Sequence, residues 1–416
     1  MNSSNDLAPE IAALDAADPL AAKRDEFLIP ADTIYLNGNS LGPLTIHAQR
    51  RTQEVLETQW GQDLIASWNK HDWIDLPTAT GEKIARLIGA APGQVICCDS
   101  VSVNLFKLLA CCLQLRPGRT QILSQADNFP TDLYVAQGLE SLLDSARCTL
   151  KTVKADAIEE SLNEDVAVLL LTEVNFRSGD RHDMQKITAL AAEKDILVVW
   201  DISHSVGVMP LQLDAWQVDF AVGCGYKYLN GGPGAPAFIY ANAKHHAAIE
   251  QPVKGWMGHL EPFAFEPEYE KASGMLQFLS GTPPIVSLAI LDAALDVFAD
   301  IAITDVHRKS VLLSETFLEL MTSRKELQEL QLESRPDPEQ RGAQLAFSHP
   351  DAYRICRALS KQGVVVDYRS PNIVRFGFSP LFLRFTDISQ SIQTLADILS
   401  QQSYLADEFG ETLKVT

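Results

Sequence analysis

Tyr226-Lys227-Tyr228-Leu229-Asn230-Gly231-Gly232-Pro233-Gly234 sets a lysine between two tyrosines, after the apolar run Phe220 to Val222 and before a glycine-rich turn. An amine held at the end of a buried strand is disfavoured as a cation. A neutral amine is a nucleophile, and a Schiff base with a carbonyl cofactor is the use that fits this setting best. A surface lysine opening a loop is the plain alternative, and the segment alone does not separate the two. Upstream, Ile196-Leu197-Val198-Val199-Trp200-Asp201 is an apolar, β-rich run that ends in a carboxylate. Such a run suits a strand buried on both faces of a parallel sheet. An acid at its C-terminal end lies where open α/β sheets bind ligands.

Pyridoxal phosphate needs this pairing of lysine and acid. Its ring withdraws electrons only while the pyridine nitrogen stays protonated, and a buried carboxylate keeps it so. An ordinary strand-end aspartate is the competing account of Asp201, and the lysine beyond the next apolar run favours the cofactor.

The chain has 416 residues, 46% hydrophobic and 21% charged, with a formal net charge of −20. That length gives two domains as the expectation. The negative field repels nucleic acid and anionic membranes, and no basic cluster offsets it. Met1 to Leu20 carries four carboxylates and no lysine or arginine, the wrong charge for an export signal. No uncharged apolar stretch reaches the ~20 residues needed to span a bilayer. Seven cysteines, two pairs of them adjacent, lack zinc-ribbon spacing. They read as core thiols of a reducing cytoplasm, Cys224 near Lys227 included, and no metal site is read.

Residues 1–35 read as an acidic arm with a short helix, and 35–43 as a tight loop rich in turn formers. A helix is expected over 45–60, with Val55, Leu56 and Trp60 facing inward. Strand candidates at 95–98, 120–123, 149–153, 166–171, 196–200, 220–222 and 237–240 alternate with helical patterns, the clearest at 103–115, 131–143 and 184–194. The alternation predicts an α/β fold: a mostly parallel seven-stranded sheet covered on both sides. Helices over 284–299 and 306–323 lead into a smaller α+β region with strands at 344–348, 364–368 and 373–377. The division is an arm at 1–45 contributing to the small domain, a large domain at 46–284 and a small domain at 285–416.

Asp99-Ser100-Val101-Ser102-Val103-Asn104 joins a strand to a helix, and helix N-termini present unpaired N–H groups to anions. Ser102 either adds a hydroxyl to a phosphate or belongs to a simple serine cap. Neither a Walker A loop nor a dinucleotide glycine fingerprint is present. Asn128-Phe129-Pro130-Thr131-Asp132 opens the next helix, where Pro130 suits a helix start and Asp132 complements its dipole. The functional reading puts the Phe129 ring on the cofactor face.

Five stretches resemble the kynureninases, pyridoxal-phosphate hydrolases of the aspartate-aminotransferase-like fold. They are Gly38-Asn39-Ser40-Leu41-Gly42, Phe129-Pro130-Thr131-Asp132, Asp201-Ile202-Ser203-His204-Ser205-Val206-Gly207, Tyr226-Lys227-Tyr228-Leu229-Asn230 and Gly255-Trp256-Met257-Gly258-His259. Gly281-Thr282-Pro283-Pro284 and Pro371-Asn372-Ile373-Val374-Arg375 extend the likeness nearly end to end. The resemblance implies hydrolysis of L-kynurenine to anthranilate and L-alanine in tryptophan degradation. It implies that Lys227 carries the cofactor and that Asp201 pairs the pyridine nitrogen. Phe129, beside Pro130 and Thr131, stacks on the ring with His204 close by, and Asp132 and Thr172 contact its polar edge. Val101, Ser102 and Tyr226 bind phosphate; Trp256 and Thr282 reach it from a second subunit, which makes the active unit a homodimer. Arg375 holds the substrate α-carboxylate, and Ser40 and Trp68 are further substrate contacts, Trp68 being equally a core aromatic. Tyr226, acting with Lys227, is the candidate proton donor or relay near the cleaved bond, and its phosphate contact favours a lowered phenol pKa or a shared proton. Met257 and Thr282 depart from the Phe and Asn of vertebrate relatives at positions expected to border the substrate's aryl group. Unhydroxylated kynurenine is the expected preference over its 3-hydroxy form.

Two other classes share parts of this pattern. A cysteine desulfurase or selenocysteine lyase needs a mobile nucleophilic cysteine in the distal part of the chain, where only Cys356 stands, within a helical pattern. A non-catalytic regulator on the same scaffold typically lacks the lysine or carries a basic extension.

Overall fold

The computed structural model describes residues 8–411 and 413. The first seven residues of the acidic arm, and 412 and 414–416 of the expected small domain, lie outside the described residues. The strands in chain order are β1 (Ile34–Tyr35), β2 (Val95–Cys97), β3 (Gln121–Gln125), β4 (Thr149–Val153), β5 (Val166–Thr172), β6 (Leu197–Asp201), β7 (Phe220–Cys224), β8 (Ala237–Ala241), β9 (Gln331–Leu332), β10 (Gln344–Ser348), β11 (Val364–Val365), β12 (Asp367–Arg369) and β13 (Ile373–Gly377).

Seven of them form one sheet in the order β2-β8-β7-β6-β5-β3-β4. Neighbours from β4 to β7 pair in parallel, and β8 alone runs against both of its neighbours. β5, β6, β7 and β8 are buried at every position. Because side chains alternate across a strand, each strand feeds two cores. Val198 and Trp200 join one apolar cluster, and Leu197 and Val199 the other. Helices Val101–Leu115 and Pro130–Leu143 cover the second face, while helices Leu76–Leu87 and Met184–Glu193 cover the first. This is the doubly covered parallel sheet that the alternating pattern predicts.

A four-stranded antiparallel sheet, β12-β13-β10-β9, forms the smaller unit. Residues of the arm contact the C-terminal part of the chain. Ile34 and Tyr35 pair in parallel with Val364 and Val365. The Asp15 carboxylate accepts from Phe385 N at 2.6 Å and Thr386 N at 3.1 Å at the start of helix Phe385–Ser400, an acid at a helix N-terminus. Lys309 Nζ lies 2.6 Å from the buried Asp18 carboxylate.

Several expectations are corrected. The helix over 45–60 is α only at Ile46–Glu54 and widens into a π-helix at Val55–Trp60. The wider winding turns Val55 and Gln59 inward, and Leu56 (42%) and Trp60 (58%) outward. Gln59 is tolerated inside because Trp73 Nε1 donates to it at 2.7 Å. The strand expected over 364–368 is two strands in two sheets, and β1 and β9 had no expectation at all. Helix 284–299 is α over Ile285–Ala294, then tightens to a 3-10 turn at Leu295–Phe298.

Candidate active site

The parallel strands all end at one edge of the sheet, and their last residues with the turns that follow enclose a cavity of about 290 Å³. That is near the lower end of small-molecule sites, ~300–1,000 Å³. After β2 the chain turns through Asp99, which takes a left-handed φ of 48°. Ser100 caps helix Val101–Leu115, and Val101 and Ser102 in its first turn line the cavity. The free N–H groups of that turn make this end of the cavity anion-binding. After β3, helix Pro130–Leu143 presents Thr131 and Asp132, and Phe129 just ahead of it lines the same space. The Phe129 ring meets Phe176 edge-on at 5.2 Å. Pro130 starts the helix and does not face the cavity.

β5 and β6 end side by side, so Thr172 and Asp201 are register partners. Asp201 Oδ1 accepts from Ser203 N at 2.8 Å. The Thr172 hydroxyl lies 2.5 Å from Asn128 Oδ1 and 3.2 Å from Asp132 Oδ2. Burial, then the charge of Asp201, pushes Asp132 well above the ordinary carboxylate range. Burial also raises Asp201, with Lys227 opposing the shift. The two acids therefore hold a proton between them more readily than exposed carboxylates do. His204 is driven well below the usual imidazole range by burial and by the cations Lys227, Arg375 and Arg369. It is neutral, and among the described residues its Nδ1 has no hydrogen-bond partner, nor has Asp132 Oδ1.

β7 ends at Cys224 and delivers Tyr226 and Lys227 to the same cavity. The arm loop closes against this turn. Gly42 N donates to Tyr226 O at 2.8 Å, and a Cβ on Gly42 would stand 2.3 Å from Lys227 O. Lys227 Nζ lies 5.9 Å from the centre of the Tyr226 ring. The Tyr226 phenol is pushed up, first by charge on Cys224, then by burial and Asp201. In this environment the phenol is held protonated.

An amine, an ionisable acid pair, unpartnered buried polar atoms, an aromatic face and an anion-binding turn share one small space. That donor set fits pyridoxal phosphate: aldehyde to Lys227, ring nitrogen to Asp201, phosphate to the turn at Val101 and Ser102.

Comparison with known proteins agrees. The chain is 45% identical to the kynureninase of Burkholderia pseudomallei (strain 1106a) over 412 residues, 98% of this chain and 99% of the relative. It is 42% identical to that of Pseudomonas fluorescens over 409 residues, 97% and 98% of the two chains. The chain belongs to the kynureninase family. Residues 306–395 also match the kynureninase C-terminal domain. As a member of the kynureninase family it is a pyridoxal-phosphate-dependent hydrolase that converts L-kynurenine to anthranilate and L-alanine. Among solved structures it is similar to an apo cysteine desulfurase from Thermococcus onnurineus, with TM-score 0.77 and 15% identity over 91% of this chain and 98% of that one. A C-DES variant with glycine covalently linked to its PLP cofactor gives TM-score 0.77 and 18% identity over 90% and 99%. At those identities the likeness is one of fold.

The kynureninase-like residues outside the cavity are placed as follows. Arg375 is in the middle of β13 and is 1% exposed. Its guanidinium forks onto Asp367, 2.7 Å from Nε to Oδ1 and 2.5 Å from Nη2 to Oδ2, and also donates to Ser40 Oγ and Phe176 O. Ser40 donates to Asp367 in turn. Trp68 packs edge-on against Trp73 at 5.8 Å and does not line the Lys227 cavity. Met257 is buried in its own chain's core, so it does not line this cavity. Trp256 and Thr282 are exposed and do not line it either. Cys356 is buried on helix Ala352–Lys361, and burial drives its thiol well above the ordinary range. It is the reverse of a mobile nucleophile.

Phe176, Ser203 and Cys224 line the cavity and were missed or read as packing. Phe176 follows β5 in a loop with no periodicity, so no sequence signal marked it.

Proposed function

We propose that Lys227, Asp201 and their neighbours carry out kynurenine hydrolysis in the roles below. The observation that supports this most is that Lys227, Asp201 and Asp132 line one cavity at the carboxyl edge of the sheet. In the overall reaction the Cβ–Cγ bond breaks; water supplies hydroxyl to Cγ, giving anthranilate, and a proton to Cβ, giving alanine. When bound, pyridoxal phosphate supplies an electron-withdrawing ring that accepts the electron pair released at the substrate's Cα.

The chain's own groups do the rest. Asp201 holds the proton on the ring nitrogen. The Lys227 amine removes the proton from Cα and restores one there at the end, and with Tyr226 it delivers to Cβ the proton that water supplies. A protonated phenol suits that donor role. Phe129 would pack on the ring, and neutral His204 would stand near it without adding a competing charge. Ser102 and the backbone N–H groups around Val101 bind the phosphate, and Thr131, Asp132 and Thr172 bind the polar edge. Ser40 and Arg375 mark the substrate's carboxylate end, where Asp367 already fixes the guanidinium fork.

Trp256 and Thr282 are read as serving the cavity of a second copy, which makes the unit a homodimer. Exposed Leu56, Trp60, Leu64 and Ile65, together with Phe263 and Phe265 beside Trp256, supply apolar surface for such a contact. Met257 and Thr282 then bear on substrate choice, and unhydroxylated kynurenine is the preferred form. The seven free, buried thiols suit a reducing compartment, the cytoplasm. No described helix is long and apolar enough to cross a membrane.

Anthranilate fluorescence with L-kynurenine and 3-hydroxykynurenine side by side tests the assignment. The first is expected to turn over faster; absence of both products would refute it. Tyr226→Phe is expected to slow anthranilate release by roughly 10²–10⁴-fold while the bound cofactor's visible absorbance survives. Unchanged turnover removes the phenol from the mechanism.

A further inference from the structure

Lys107 sits two turns into helix Val101–Leu115 with a side chain 0% exposed. A buried ammonium is costly unless it is paired and hydrogen-bonded. Lys107 meets that requirement with two groups from different parts of the chain. Its Nζ lies 2.6 Å from Asp99 Oδ2 and donates to Phe278 O at 2.5 Å. Asp99 is the left-handed residue that turns the chain from β2 into the Ser100-Val101-Ser102 turn, and its carbonyl accepts from Ala237 N at 2.9 Å. Phe278 closes the 3-10 turn Gly274–Phe278. Two residues on, Ser280 O accepts from Met257 N at 3.1 Å and Ser280 Oγ donates to Val253 O at 2.8 Å, which fixes the stretch bearing Trp256. Thr282 follows directly.

We propose that Lys107 is a positioning residue for the cofactor phosphate, tying the phosphate-binding turn of its own site to the 278–282 and 253–257 segments that serve a second copy's site. This rests on the reading that Ser102 and its turn hold phosphate in one subunit while Trp256 and Thr282 hold it from the other. Lys107 touches no cofactor or substrate; it sets the spacing between two halves of a cradle. A role confined to core stability would lower the affinity for any cofactor form alike. A role in the phosphate cradle separates pyridoxal phosphate from pyridoxal, which lacks the phosphate.

The test is titration of full-length apoprotein with each compound, followed by the visible absorbance of the bound form. Lys107→Met is expected to weaken pyridoxal phosphate about tenfold or more, the scale on which groups behind a ligand's direct contacts act. Its affinity for pyridoxal should stay within about twofold of wild type. The double variant Lys107→Met/Asp99→Asn leaves no charge unpaired and is expected to show the same selective loss, so a fold defect in the single variant does not decide the outcome. Equal losses for both compounds, or unchanged affinity for pyridoxal phosphate in both variants, overturn the proposal. Ser102→Ala is the separate check on the underlying reading. If it keeps wild-type discrimination while Lys107→Met loses it, the serine's phosphate role falls and the lysine's stands.

Discussion

Lys227→Ala is expected to abolish anthranilate release, with a loss at or beyond the ~10⁴-fold upper end for removal of a general acid–base group. The amine has two roles at one point: it is the covalent anchor for the cofactor and the base at the substrate's Cα. No described neighbour replaces it. Asp132 and Asp201 are both raised in pKa, but neither is an amine that can carry an aldehyde as an imine, and His204 is neutral yet enclosed at its Nδ1. Ser102, Phe129 and Asp201 remain in the variant, so pyridoxal phosphate should still bind but wash out on desalting. Stopped-flow anthranilate fluorescence and cofactor content after gel filtration read the two effects separately. Turnover within about tenfold of wild type would remove Lys227 from the centre of the mechanism.

Asp201→Asn is the second large effect. The side chain is buried at the end of β6, where Oδ1 accepts the Ser203 N–H, and an asparagine preserves that acceptor and the shape. What it removes is the charge that holds a proton on the heterocycle. The fold and the cofactor's covalent attachment should persist. Turnover should fall by roughly 10²–10³-fold or more, the scale for a lost electrostatic contact to developing charge. Initial rates with L-kynurenine, alongside a thermal melt to confirm folding, give the measurement. Loss of the melt together with activity would show a structural role instead.

Most of the fold was legible because its signals are local. β5 and β6 are unbroken apolar runs, and only strands covered on both faces carry such runs. Asp201, Lys227, Asp132 and Ser102 were legible because each stands where a strand ends or a helix starts, and parallel strands bring those points together. What the sequence did not disclose depends on distant partners. Gln59 turns inward and Trp60 outward because of a π-helix and the Trp73 indole. Ile34–Tyr35 is a strand only because Val364–Val365 lies alongside. Arg375 lies within an expected strand, but that its guanidinium is held in the interior depends on Asp367 and Ser40. Phe176 joins the cavity through a loop without pattern. The Tyr226 phenol rises because of Cys224, burial and Asp201, an environment that no motif encodes.

The central claim is that one amine at the carboxyl edge of the sheet carries the cofactor. Borohydride reduction of the holoenzyme, followed by proteolysis and mass spectrometry of the labelled peptide, tests it most directly. The pyridoxyl group should be found on Lys227 alone, in the peptide containing Tyr226 and Tyr228. A label on any other lysine, or a reduced protein that carries none, would contradict it.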